Sequence, residues 1–131
     1  MFTTGIKNEK VIMVTKDLLA TRVGSGSVDV FATPAMISFM EDTAKNSVED
    51  LLEEGRTTVG ILVNVEHIAA TPEGMKVTIT SELTEISENG KILTFQVEAF
   101  DETEKIGGGI HKRAIISKER FTEKAKSKLQ R

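Results

Sequence analysis

The spacing of apolar residues switches near Gly55, from steps of three and four to strict alternation. Before it, Met36, Met40, Ala44, Val48, Leu51 and Leu52 follow the period of a helix that buries one side, predicted from Pro34 to about Glu54. Thr33 suits the N-cap, Pro34 the first helical position, and Gly55 the C-terminal stop. Beyond Gly55, Ile61, Val63, Val65 and His67 share one face of a strand. Val77, Ile79 and Leu83 line the next strand, and Leu93, Phe95, Val97 and Ala99 the one after it. Asn89-Gly90 between these two is a hairpin signal, so they pair antiparallel. A last strand runs from about Ile106 to Ser117, and its Gly107-Gly-Gly opening permits a bulge or a close backbone approach.

Ahead of the helix, Val11 to Val14 and Val28 to Ala32 read as short strands. Between them, Lys16 to Arg22 forms a helical turn that ends at Gly24-Ser-Gly-Ser. The basic tail, Lys118 to Arg131, forms a short helix with Phe121, Ala125 and Leu129 on one side. One long helix followed by a meander of strands predicts an α+β architecture over residues 1–131 as a single domain, the sheet wrapping one face around the helix. Ile68, Ile86, Ile92, Phe100 and Ile115 fall on or near the second face of their strands, which suggests a contact between two copies of the chain.

At 131 residues the chain is large enough for a real core. The absence of cysteine excludes disulfides, a thiolate zinc site and a cysteine nucleophile. A net charge of −3 argues against a nucleic-acid partner, and an anionic ligand would have to meet a local basic patch. No segment approaches the roughly 20 apolar residues of a membrane span, and the start carries no long apolar run, so a cytoplasmic protein is expected. The two histidines sit on different strands with no H-x-x-x-H spacing, which predicts no metal. Gly107-Gly-Gly lacks a P-loop's lysine and helix, and no G-x-G-x-x-G follows a parallel strand, so neither nucleotide hydrolysis nor dinucleotide redox chemistry is expected, and no cofactor.

Candidate chemistry gathers around the long helix. Glu41 projects between Val48 and Leu52 at the margin of the apolar stripe, where a carboxylate needs a partner or a function. His67 ends an otherwise apolar row and is either a hydrogen-bonded structural group or an acid/base near neutral pH. Thr33 is either a cap or a site hydroxyl, and Gly60 either a turn residue or a place where a ligand meets backbone. Free N–H groups near Ala35 and Met36 at the helix start could hold an oxyanion. His111 and Arg113 share a face of the last strand and read equally as solvated charges or as ligands for an anionic group. Thr33 and Glu41 lie about 12 Å apart along the helix, so joint action needs a substrate, a bent helix start or a second subunit between them.

The blocks G-S-G-S-V-D-V-F-A-T-P-A-M-I-S-F-M-E at Gly24–Glu41, V-N-V-E-H-I-A-A-T-P-E-G at Val63–Gly74 and G-G-G-I-H-K-R at Gly107–Arg113 together resemble the hot-dog-fold thioesterases, in the branch that includes fluoroacetyl-CoA thioesterase. The resemblance implies a hot-dog fold, a homodimer with a tetramer as the larger alternative, and an acyl-CoA substrate bound where subunits meet. By motif position it implies Thr33, Glu41 and His67 as catalytic residues and Gly60, His111 and Arg113 at the substrate. It implies hydrolysis of a small acyl-CoA to free acid and CoA. The alternatives are a non-catalytic acyl-CoA or small-ligand binding protein and, less in keeping with A-T-P-A-M, an enoyl-thioester lyase. Nothing in the residues selects a fluorinated substrate.

Overall fold

The computed structural model describes residues 3–130, so Met1, Phe2 and Arg131 at the end of the basic tail lie outside the described residues. It is an α+β structure, with five antiparallel strands curled around one long helix. The strands are β1 (Lys7–Met13), β2 (Arg56–His67), β3 (Lys76–Ile86), β4 (Ile92–Phe100) and β5 (Lys105–Ser117). The helices are α1 (Ala20–Val23), α2 (Thr33–Val48) and α3 (Lys118–Lys126). The sheet order is β1-β3-β4-β5-β2, which leaves β2 on an edge.

The core is the face that α2 shares with the sheet. Ala35, Met36, Met40, Ala44 and Val48 are buried along α2, against fully buried Val77, Ile79 and Leu83 of β3 and Leu93, Phe95, Val97 and Ala99 of β4. The alternation along β3 and β4 therefore reports the buried face directly. The hairpin between them turns through Gly90 at φ 75°, and Asn89 Oδ1 accepts from Lys91 N–H at 3.0 Å. The glycine run of β5 permits close packing of the helix on the sheet, since a Cβ at Gly107 would stand 2.8 Å from Met36 Sδ.

Four expectations need correction. Val28 to Ala32 is not a strand, because its backbone bonds scatter to different partners: Ala20 N–H to Val30 O, Phe31 N–H to Thr71 O and Ala32 N–H to Leu18 O. Its alternation reflects Phe31 and Ala32 docking into the core, while Val28 stays exposed. The long helix stops at Val48 and continues only as a 3-10 turn over Glu49–Leu51, short of Glu54. On β2 the register shifts between Gly60 and Leu62, so Gly60 opposes Arg113, Val63 opposes His111, and Ile61 is left over. That bulge takes Ile61 out of step with Val63, Val65 and His67, which stay on the face of His111, although Val63 is exposed at this edge.

Finally, Ile86 and Ile115 pack against the core and not on the second face. Among the described residues, the contiguous run of exposed large apolar side chains is instead Ile61, Leu62 and Val63 on edge strand β2. The basic tail is helical as expected, capped by Ser117 Oγ accepting from Arg120 N–H, with Phe121 and Leu129 exposed.

Candidate active site

At the start of α2 the N-cap is Ala32, not Thr33, and no side chain caps the helix. Thr33 is one residue further in, which frees its hydroxyl from the expected capping role. Thr33 Oγ1 lies 2.7 Å from His67 Nδ1. His67 is brought there because it ends β2 opposite Gly107, and its ring meets Phe31 edge-on at 6.3 Å. Burial lowers the pKa of His67, so the imidazole is neutral near pH 7 and carries a basic lone pair. His67 Nε2 is buried without a protein partner. Thr33, His67, Phe31 and Ser25 line a cavity of about 260 Å³.

The donors at the helix start also differ from expectation. Met36 N–H is engaged, donating to Ala32 O at 3.0 Å, and Met36 is fully buried. Pro34 has no N–H, so among the described residues Thr33 and Ala35 keep the backbone N–H groups without a backbone acceptor in this first turn of α2.

Two turns along α2, a second group assembles around Glu41. Its Oε2 is 3.6 Å from Arg113 Nη1 and 4.0 Å from His111 Nε2, and it lies against Gly60, where a Cβ would overlap it. His111 and Arg113 are buried at 1% and 6% exposure, which rules out the reading of them as solvated charges. Arg113 Nε donates to Thr58 Oγ1 at 2.8 Å and Nη2 to Thr58 O at 3.0 Å. His111 Nδ1 faces Leu62 O at 2.9 Å, a pure acceptor, so Nδ1 carries the proton and Nε2 accepts from Arg113 Nη1 at 3.1 Å. Each side chain thus holds the next, and the last holds a cation toward Glu41.

Burial, with the Arg113 charge adding to it, lowers the His111 pKa against opposing contributions from Leu62 O and Glu41. Burial likewise pulls Arg113 below its ordinary value, opposed by Glu41 and Glu49. For His111 the sign is clear: the unfolded chain binds the proton more readily near 6.5, so stability is full above that pH and falls as pH drops toward the folded value. Melting temperature is expected to fall between pH about 7.5 and about 5.5, and His111→Gln to flatten that slope. Parallel slopes in the two proteins would contradict a neutral, buried His111.

The structure thus brings Thr33 and His67 together, with Ala35 two residues further along α2, and separately Glu41, Gly60, His111 and Arg113. It does not bring the two groups together within a protomer. Eight residues of α2 separate Thr33 from Glu41, about 12 Å, and the β2 stretch from Gly60 to His67 spans about 20 Å. Thr58 and the Leu62 carbonyl escaped the sequence reading. A polar residue two places before Gly60 on the inward face was the available signal for Thr58, whereas nothing local points to a particular carbonyl.

Comparison with known proteins gives a consistent picture. The FlK family profile, Fluoroacetyl-CoA-specific thioesterase, matches residues 14–119. The fluoroacetyl-CoA thioesterase of Streptantibioticus cattleyicolor is 39% identical over 100 residues, covering 76% of this chain and 70% of the relative. A solved structure of the fluoroacetyl-CoA thioesterase FlK superposes with a TM-score of 0.92 at 30% identity, covering 98% of both chains. A Thermus thermophilus thioesterase superfamily member gives 0.86 at 26% identity, covering 98% of this chain and 96% of that one. A hot-dog-like protein from Thermanaerovibrio acidaminovorans, 20% identical with a TM-score of 0.87 over 97% of this chain and 93% of its own, shares the fold.

Proposed function

Because the chain belongs to the FlK family of fluoroacetyl-CoA-specific thioesterases, we propose that it hydrolyses a small acyl-CoA to free acid and CoA at sites shared between the two protomers of a homodimer. The observation that carries the shared site is the division of the candidate residues into two groups at opposite ends of the exposed part of edge strand β2.

An unpaired edge bearing exposed Ile61, Leu62 and Val63 is a template for another strand. If the partner is a second copy, the pairing is antiparallel about a twofold axis. An axis placed midway between Gly60 and His67 sets Gly60 of each protomer opposite His67 of the other. Glu41, which lies on Gly60, then faces the partner's Thr33–His67 pair across one crevice. A tetramer would pair two such dimers through other surfaces.

In that crevice the thioester carbonyl oxygen is held by the Ala35 N–H at the positive end of α2. Glu41 supplies the carboxylate, either removing a proton from the attacking water or attacking the carbonyl carbon to form an anhydride that water then opens. Collapse of the tetrahedral intermediate breaks the C–S bond, and the departing thiolate is protonated to give CoA. Neutral His67, held by Thr33, orients water or relays that proton. Arg113 fixes the carboxylate and is itself fixed by Thr58 and His111. The volume of about 260 Å³ beside Thr33 and His67 supports a short acyl group. The acyl-CoA class of the proposed substrate supports a cytoplasmic site for this activity.

Release of free thiol from acetyl-, fluoroacetyl-, isobutyryl- and phenylacetyl-CoA is the direct assay. Rapid release with the short substrates is expected. Binding of these thioesters without release would overturn hydrolysis in favour of a non-catalytic acyl-CoA binder.

A further inference from the structure

At the end of the sheet away from His67, α3 and the starts and ends of neighbouring strands enclose a groove of about 310 Å³. Four cations from three parts of the chain line it: Arg56 at the head of β2, Lys91 in the β3–β4 hairpin, and Arg120 and Lys124 on α3. A second cavity, of about 380 Å³, shares Arg56, Lys91 and Ile115 with it. Among the described residues, Arg56 alone of the four has a carboxylate at ion-pair distance, the exposed Glu53 at 3.8 Å.

The sequence of α3 sharpens the point. Arg120 and Lys124 stand one helical turn apart and face this groove, whereas Glu119 and Glu123, also one turn apart, line a different cavity beside Gly55. Two like-charged pairs at i,i+4 each destabilise a helix that opposite-charge pairing would support. The segregation concentrates positive charge on one face, in a protein whose net charge is −3. Phe121 belongs to the same lining and is 46% exposed, a ring available to stack on a base.

The groove also lies in line with the Glu41 group. Gly60 pairs with Arg113 and Arg56 with Ser117 on the same β2–β5 ladder, so the cations begin about 13 Å from the glycine under Glu41. That is a distance an extended pantetheine arm covers. We propose that the Arg56, Lys91, Arg120, Lys124 groove binds the phosphorylated adenosine end of the CoA substrate, its cations meeting the phosphates and Phe121 the adenine. The inference rests on acyl-CoA being the substrate.

Its test is the double variant Arg120→Glu/Lys124→Glu, on an exposed helix outside the core. Binding of free CoA by calorimetry should weaken by roughly tenfold or more. The KM for the preferred acyl-CoA should rise to match with kcat unchanged, and raising the salt should weaken wild-type binding far more than that of the variant. Turnover of the acyl-pantetheine thioester, which lacks the nucleotide, should be the same in both proteins. Equal CoA affinity in wild type and variant would overturn the groove assignment even if turnover is intact. CoA binding that weakens in the variant, with a wild-type protein that releases no thiol from any acyl-CoA, would overturn hydrolysis and leave the groove standing. A milder Arg120→Ala/Lys124→Ala variant should show the same direction of change, and its failure to do so would reduce the first result to introduced repulsion and count against the groove.

Discussion

Replacing Glu41 with glutamine should lower kcat by about 10²–10⁴-fold and change KM little, because the amide keeps the side chain's shape but neither accepts a proton nor attacks a carbonyl. The position tolerates the exchange structurally. Its side chain is 40% exposed and makes no close hydrogen bond, its nearest cationic atom being Arg113 Nη1 at 3.6 Å. Arg113 loses its nearest anion but keeps two bonds to Thr58 and one to His111, so the variant should fold with a lowered melting temperature. His67→Ala should give a loss of similar size. Thiol release by a folded Glu41→Gln protein at the wild-type level would remove the carboxylate from the chemistry.

How far the candidate site is legible in the sequence differs from residue to residue. Glu41 was legible because a carboxylate at the edge of an apolar helical stripe breaks a period that is otherwise regular. His67 was legible for the same reason at the end of an alternating row. The inward faces of β3 and β4 were fully written in their alternation, as Leu93, Phe95, Val97 and Ala99 are all buried.

What stayed hidden depends on contacts distant in sequence or on one-residue offsets. Alternation puts His111 and Arg113 on one face but does not say which face is inside. Their burial is licensed by Thr58, 55 residues from Arg113, and by the Leu62 carbonyl, 49 residues from His111. The bulge at Ile61 shifts register by a single residue, and a period of two is blind to such a shift until the partner strand is known. Thr33 illustrates the same limit at a helix end. Composition favours it as the cap, yet the helix begins one residue earlier, and that offset turns a structural hydroxyl into one that meets His67.

The same separation that keeps Glu41 away from His67 within one chain makes the second large prediction. Glu41→Ala and His67→Ala proteins, each nearly inactive alone, are mixed, unfolded and refolded together so that protomers exchange. In the proposed arrangement, where each site takes its glutamate from one protomer and its histidine from the partner, a mixed dimer carries both lesions in one of its sites and neither in the other. With random pairing half the dimers are mixed, so about one quarter of wild-type activity should return. If both groups came from the same protomer, every site in every dimer would carry one lesion. Recovery near one quarter, rising and falling with the proportion of mixed dimer, is the result expected of a shared site. Activity that stays at the level of the two variants, with mixed dimer demonstrably present, would contradict it.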